Sequence, residues 1–200
     1  MFTDDCRSPG ATKPDEVLSS IEEIAPARSW PIIGPMRGKL LDGIVLAHRP
    51  ARILEIGTNV GYSAIRMARH LEKGQKLVCV EIRDDMARAA RSNFEKAGLS
   101  DRIEVLVGDA LLVIPTLKES LDMVFLDAVK EDYLAYLKSA EKLLHTGSVV
   151  VADNVKSHAS EMKSYLHYVR DSGVYASRYR EAPSNWGTDV GDAVEVSVML

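Results

Sequence analysis

The feature that most constrains this fold is the alternation, from Arg52 onward, of short β-branched runs with segments of helical spacing. The runs are apolar on both faces, as buried strands of a parallel sheet are, and they read RILEI, KLVCVEI, RIEVLV, LDMVFLD and GSVVVAD. Segments such as Asp84 to Ala97 and Glu131 to Leu144 repeat apolar residues every three or four positions. The alternation predicts a doubly wound, Rossmann-like α/β fold.

The ends of the chain follow a different pattern. Residues 15–24 and 34–48 have helical spacing and precede the first strand. The tail segments YASRYREA and AVEVSVML predict an antiparallel strand pair at one edge, which brings the mostly parallel sheet to seven strands. We expect a single domain over residues 1–200, with a leader and helix at 1–28 and the core at 29–200.

Composition narrows the classes of function. The formal net charge of −4 comes from mixed acidic and basic residues, without the basic stripe that neutralises a nucleic-acid backbone. No secretory leader and no apolar stretch of roughly 20 residues is evident, so we expect a cytoplasmic protein that does not cross a membrane. Only Cys6, in a polar leader, and Cys79, in an apolar run, are available, which makes a disulfide framework improbable.

Ligands of open α/β sheets bind beyond the carboxyl ends of the strands. After the first strand, Gly57 and Gly61 let the backbone turn tightly and approach a ligand, although a turn that needs glycine for geometry alone has the same pattern. Glu81 ends the second strand, where a carboxylate can accept both hydroxyls of a ribose. The G-x-x-x-G spacing differs from that of dinucleotide sites, so we expect a nucleoside ligand without phosphates.

The third predicted strand ends in Gly108, Asp109 and Ala110. An aspartate in this turn can accept a hydrogen bond from the exocyclic amine of adenine. Taken alone, it more often caps the following helix.

Polar side chains also follow the fourth and fifth strands. Asp127 ends the fourth strand with Lys130 three residues on, and Asp153 and Asn154 end the fifth. Taken alone, each aspartate would more often cap the following helix, but three oxygen donors from neighbouring strands together suit a hard cation such as Mg²⁺. A metal bound to a substrate hydroxyl eases loss of its proton, which Lys130 can accept.

These motifs resemble the magnesium-dependent O-methyltransferase family of the catechol and caffeoyl-CoA type. LEIGTNVGYSAIRMAR is similar to the family's glycine motif, LDAVK to its metal-aspartate and lysine motif, and VVVADNV to its Asp-Asn motif. The similarity runs from about Ser29 to Val155, and VGDAVEVSVML resembles the closing strand. The resemblance implies a class I methyltransferase fold and transfer of the methyl group of S-adenosylmethionine to an oxygen.

The resemblance also implies roles for individual residues. Asp127, Asp153 and Asn154 would bind the metal, Asp127 would also lie at the cofactor, and Lys130 would be the base. The cofactor's methionine part would be held by Ile33, Glu55, Gly57 and Ser63, its ribose by Glu81, and its adenine by Asp109 and Ala110.

Some positions depart from the family pattern. Ala128 and Val129 stand where catechol O-methyltransferase has aromatic residues, and Trp186 lies near its acidic substrate contact. The caffeoyl-CoA enzymes' insertion after the Asp-Asn motif is absent, and KSHASEMKSY is expected to lead straight into a helix, which makes a coenzyme A thioester a less expected acceptor. Trp30 and Trp186 would either wall an aromatic acceptor pocket or pack ordinarily.

The leading interpretation is a methyltransferase acting on a small catechol-like or other vicinal-diol acceptor. A tRNA hydroxyuridine acceptor is an alternative, against which the absence of a basic stripe counts. Two alternatives belong to other functional classes, namely a nicotinamide-binding oxidoreductase and a non-catalytic binding protein. By analogy with most of the family, a homodimer is expected, and a solution mass of one 22.0 kDa chain would contradict it.

Overall fold

The computed structural model describes residues 12–183, 185 and 191–200. The expectations about Cys6 and Trp186 therefore fall outside the described residues. The strands are β1 (Arg52–Ile56), β2 (Lys76–Glu81), β3 (Ile103–Val107), β4 (Met123–Leu126), β5 (Val149–Ala152), β6 (Tyr175–Glu181) and β7 (Ala193–Met199). The helices are α1 (Lys13–Arg28), α2 (Gly34–His48), α3 (Tyr62–Ala68), α4 (Asp84–Ala97), α5 (Ala110–Val113), α6 (Tyr133–Ala140) and α7 (Lys163–Asp171).

All seven strands form one sheet in the order β3-β2-β1-β4-β5-β7-β6. Strands β1 to β5 are parallel, whereas β7 pairs antiparallel with both β5 and β6. The predicted doubly wound fold and its antiparallel edge pair are confirmed. Ile56 of β1 lies opposite Val80 of β2 and Leu126 of β4, so these three strands end level with one another. The residues that follow them meet at one edge of the sheet.

Helices cover both faces of the sheet because alternate strand residues point to opposite sides. Ile53 belongs to a core cluster with residues of α1, α2, α3 and α4, and the next residue, Leu54, belongs to a second cluster with residues of α5, α6 and α7. The apolar strand patterns noted in the sequence thus correspond to two buried faces. Among the described residues, no helix has the length and apolarity needed to cross a membrane.

Three element boundaries differ from the sequence-based expectation. Helix α1 runs from Lys13 through Pro26 to Arg28, because buried Leu18, Ile21 and Ala25 hold it on the core. The segment expected as one helix from 131 to 144 is α6 with a short 3-10 helix at each end, a common way for helix ends to tighten. Turns occupy the stretch after the Asp-Asn pair, and α7 begins only at Lys163.

Candidate active site

A cavity of about 890 Å³ lies at the carboxyl ends of the parallel strands. The link between α1 and α2, including Trp30, forms another part of its wall. Nine of the predicted site residues line it, namely Ile33, Gly57, Ser63, Glu81, Asp109, Ala110, Asp127, Lys130 and Asn154. Glu55 and Asp153 lie buried beside it, at 0% and 1% exposed. The volume lies in the range of pockets that hold small molecules and cofactors.

The turn between β1 and α3 approaches the neighbouring strand closely. Gly57 has φ +90°, and a Cβ there would overlap the carbonyl oxygen of Asp127. Glu81 fastens the same turn, because its Oε2 accepts hydrogen bonds from the backbone N–H groups of Thr58 at 3.1 Å and Asn59 at 2.7 Å. The glycine is therefore required both for its backbone conformation and for the close approach, and the Glu81 carboxylate is fixed at the cavity wall.

Glu55 is a fully buried carboxyl behind this turn. Burial raises its pKa to about 7, against the lowering effect of a hydrogen bond from the Ser63 hydroxyl. Its other oxygen, Oε2, and the Thr58 hydroxyl have no hydrogen-bond partner among the described residues. Unpartnered polar atoms are costly when buried, so a polar or positively charged ligand group beside Glu55 would stabilise this corner.

Asp109 serves as the N-cap of α5, since its Oδ1 accepts a hydrogen bond from the backbone N–H of Leu111 at 2.8 Å. The capping interpretation of this aspartate is therefore correct. The residue also lines the cavity beside Ala110, so its predicted adenine contact stays a prediction.

Lys130 is held at the opposite end of the cavity. Its Nζ donates to Asp127 Oδ1 and to the Tyr133 hydroxyl, both at 2.8 Å, and its side chain is 13% exposed. The Tyr133 hydroxyl donates in turn to the backbone carbonyl of Asp153 at 3.3 Å. Burial, together with the negative charges of Asp127 and Asp153, raises the pKa of Tyr133 well above its usual value, so its hydroxyl keeps its proton. The lysine thus has a defined position instead of the mobility of a surface side chain.

Asp153 is the most buried member of the predicted metal set. Burial and the nearby charge of Asp127 raise its pKa, while Arg37 and Lys130 oppose that rise. Arg37 Nη1 lies 3.4 Å from Asp153 Oδ2, and Asp153 Oδ1 has no hydrogen-bond partner among the described residues. An unpartnered buried carboxylate oxygen is the kind of atom that a cation would satisfy.

Asp192, which precedes β7, organises this end of the site. Its Oδ2 accepts hydrogen bonds from Arg37 Nη1 at 3.1 Å, Asn154 Nδ2 at 2.9 Å and Ser157 Oγ at 2.6 Å. Burial raises its pKa, but the hydrogen bonds from Ser157, Asn154 and the backbone outweigh that effect and hold the pKa at about 2. Because a carboxylate can only accept, the Asn154 amide nitrogen faces Asp192, which leaves the amide oxygen as its remaining donor atom.

The donor set of Asp127, Asp153 and the Asn154 amide oxygen fits a divalent cation, since hard cations prefer oxygen ligands. No group of three or more His, Cys, Asp or Glu side chains able to hold a metal occurs within the described ranges. The predicted set is therefore two carboxylates and one amide oxygen, which leaves further positions of an octahedral cation open to other ligands.

Sequence reasoning missed Arg37, Tyr133 and Asp192. Arg37 lies one helical turn after Ile33, and its Nε donates to the Ile33 carbonyl at 3.1 Å. Its partner Asp192 is 155 residues away in the chain, so only the folded structure pairs them. The one sequence signal was the segment VGDAVEVSVML, which was matched to a closing strand without a role for its aspartate.

Comparisons with known proteins agree with this architecture. The O-methyltransferase family model matches residues 12–164. Catechol O-methyltransferase B of Danio rerio is 36% identical over 195 residues, covering 94% of this chain and 73% of its own length. Catechol O-methyltransferase of Mus musculus is 36% identical over 170 residues, covering 81% of this chain but only 63% of its own length.

A solved structure is similar over nearly the whole chain. The O-methyltransferase TomG from Streptomyces achromogenes, in complex with SAM, superposes with a TM-score of 0.84 at 29% identity. The superposition covers 92% of this chain and 90% of TomG.

Proposed function

Because this chain belongs to the O-methyltransferase family and is an S-adenosylmethionine-dependent O-methyltransferase, we propose that it methylates one hydroxyl of a small vicinal diol of catechol type. Membership of the family bears out the predicted resemblance and removes the support for a nicotinamide-binding oxidoreductase.

One observation supports a hydroxyl group as the methyl acceptor. Lys130 Nζ and Asp127 lie 2.8 Å apart at the cavity wall, with Asn154 lining the same cavity and the unpartnered Asp153 Oδ1 beside it. A fixed basic side chain next to three oxygen donors suits removal of a proton from a hydroxyl whose oxygen sits at a cation.

Bound S-adenosylmethionine supplies a methyl group on a sulfonium sulfur, and a divalent cation on Asp127, Asp153 and Asn154 would stabilise the negative charge gained by the acceptor oxygen. The chain itself would provide the base, since Lys130 Nζ would accept the hydroxyl proton. The acceptor oxygen would gain the methyl group as its bond to sulfur breaks, which leaves the cofactor as the neutral thioether S-adenosylhomocysteine. Tyr133 keeps the Lys130 amine in place through its hydroxyl. Arg37 and Asp192 orient the carboxylate and amide groups behind it.

The cofactor end of the proposal uses the residues expected from the sequence. Ile33, Glu55, Gly57 and Ser63 would hold the methionine part, Glu81 the ribose, and Asp109 and Ala110 the adenine. The supporting argument is electrostatic, because this wall carries carboxylates and the cofactor carries a positive sulfonium and a positive ammonium group. The unpartnered Glu55 Oε2 is a suitable partner for the ammonium.

The test is transfer of radiolabelled methyl from S-adenosylmethionine to catechol in the presence of Mg²⁺. We expect turnover that chelator abolishes and that Lys130→Met lowers about 100-fold or more, the usual contribution of a general base. Lys138→Met is the matched control, since Lys138 Nζ pairs with Glu141 outside the cavity.

Full activity of an Asp153→Ala, Asn154→Ala double variant in chelator would overturn the metal proposal. Methylation of total tRNA in place of catechol would overturn the proposed acceptor.

A further inference from the structure

A chain of two side-chain hydrogen bonds ends at a cavity residue that has no role in the proposal above. Ser157 Oγ lies 2.6 Å from Asp192 Oδ2 and 2.7 Å from His158 Nδ1. His158 lines the same cavity as Lys130 and Asn154. The imidazole is therefore tethered at one nitrogen, in the turn that follows Asn154.

The direction of these hydrogen bonds fixes the tautomer of the neutral ring. Asp192 Oδ2 is an acceptor for Arg37 Nη1 and Asn154 Nδ2 as well, so the single Ser157 hydroxyl proton points to it. The Ser157 oxygen must then accept from His158 Nδ1–H. Nε2 of the neutral imidazole is left with a free lone pair, and no described residue donates a hydrogen bond to it.

Backbone hydrogen bonds hold the main chain of His158 next to Asn154. The His158 N–H donates to the Asn154 carbonyl at 3.0 Å, and the Glu161 N–H donates to the His158 carbonyl at 3.0 Å. Asp192 Oδ2 accepts from both Asn154 Nδ2 and Ser157 Oγ, so one carboxylate orients the amide and, through the serine, the imidazole. Two acceptor atoms, the Asn154 amide oxygen and His158 Nε2, are thereby coupled in position.

We propose that His158 Nε2 accepts a hydrogen bond from the second hydroxyl of the diol, the one that is not methylated. This inference rests on the proposed function, because only a diol brings a second hydroxyl to the cavity. It gives this chain a substrate contact from the turn after β5. His158 is thus a specificity-determining residue that selects which hydroxyl faces Lys130.

The choice of hydroxyl follows from hydrogen-bond strength. In 3,4-dihydroxybenzaldehyde the hydroxyl para to the carbonyl is the more acidic and hence the better donor. His158 Nε2 would hold that hydroxyl, so the meta oxygen would be methylated preferentially.

The experiment measures KM, kcat and the meta-to-para product ratio for this diol in wild type, His158→Ala, His158→Gln and Ser157→Ala at pH 8. We expect His158→Ala to raise KM about three- to tenfold, as loss of one neutral hydrogen bond does, and to remove the meta preference. The Gln side chain places an acceptor oxygen near the position of Nε2, so it should restore both values in part. Ser157→Ala, which frees the ring, should shift the ratio in the same direction. His167→Ala is the control, since that side chain is 81% exposed, pairs with Asp171 and does not line the cavity.

Calorimetric titration of the diol into protein loaded with Mg²⁺ and S-adenosylhomocysteine gives a readout independent of turnover. Weaker diol affinity in His158→Ala, with unchanged S-adenosylhomocysteine affinity, is the expected result. An unchanged ratio and an unchanged diol affinity in His158→Ala would overturn the role of His158 while leaving the methyltransferase proposal intact. Absence of diol methylation and binding in the wild type would instead overturn the proposed function, and this inference with it.

Discussion

At the scale of single residues, Glu55 is a carboxyl group whose environment in the fold differs sharply from that in the unfolded chain. It is fully buried in the core, and its pKa of about 7 lies above the ordinary value of 4.5. As pH rises, the unfolded chain loses this proton first, while the folded protein keeps it until about pH 7. The unfolded state is thereby favoured, so the free energy of unfolding falls between about pH 4.5 and pH 7 and is steady above that range.

Glu55→Gln should remove this dependence, because an amide does not titrate. The wild type is expected to lose on the order of 3 kcal/mol across the window relative to the variant, at about 1.4 kcal/mol for each pKa unit. Urea unfolding of both proteins at pH 5 and pH 8 gives the measurement. A difference between the two proteins that is the same at both pH values would show that Glu55 does not ionise with a raised pKa.

The sequence predicted the site residues that directly follow strands, but it missed the residues that orient those side chains. Asp127, Asp153 and Asn154 each follow a recognisable apolar run, so their meeting at one sheet edge follows from parallel topology alone. Arg37 and Asp192 were missed because neither follows a strand of the parallel set. Their contact depends on how α2 and the segment before β7 pack, which no local pattern encodes.

At the scale of elements, the turn between β1 and α3 sets the spacing between two strands. The Gly57 backbone fits against the Asp127 carbonyl only because no Cβ intervenes. Gly74 has nearly the same conformation, φ +91° against +90°, but a Cβ there would meet nothing within 4 Å. The two glycines therefore separate the cost of the backbone conformation from the cost of the close approach.

Gly57→Ala should lower the free energy of unfolding by about 3 kcal/mol, from unfavourable backbone conformation together with overpacking. Gly74→Ala should cost only about 1 kcal/mol, since it carries the conformational part alone. Urea midpoints of the two variants and the wild type measure both values. Equal losses in the two variants would mean that the contact between Gly57 and Asp127 contributes nothing to stability.

The sequence predicted which helices and strands the fold contains, but not where each of them begins and ends. Every predicted strand appears in the sheet. Strands β4 and β5 are wholly buried, whereas β6 is mostly exposed and is held by its antiparallel pairing with β7. The helix expected over 131–144 is confined to Tyr133–Ala140 as an α-helix, although the apolar spacing extends further. Its ends tighten into 3-10 turns, and spacing alone does not distinguish those from α-helix.

At the scale of the whole molecule, the cavity draws on segments far apart in the chain. Ser29 to Ile33 precede the first strand, whereas Asn154 and His158 follow the fifth. A ligand that fills it therefore joins the link between α1 and α2 to the strand ends. The sequence predicted the doubly wound α/β fold because apolar runs alternate with helical segments along the chain. It did not predict how far the cavity wall extends.

Ligand binding should consequently stabilise the whole fold. At a free concentration about 100 times its Kd, S-adenosylmethionine should add about 2.7 kcal/mol to the free energy of unfolding, if it binds only the folded state. For a chain of this size that corresponds to a rise in Tm of roughly 5–10 °C. Thermal unfolding followed by circular dichroism with S-adenosylmethionine, and with NAD as control, gives the measurement.

Because the G-x-x-x-G turn and Glu81 offer no site for a pyrophosphate, NAD should leave Tm unchanged. A rise in Tm with NAD equal to that with S-adenosylmethionine would mean that the cavity recognises adenosine alone and that the wall at Glu55 and Ser63 adds no selectivity.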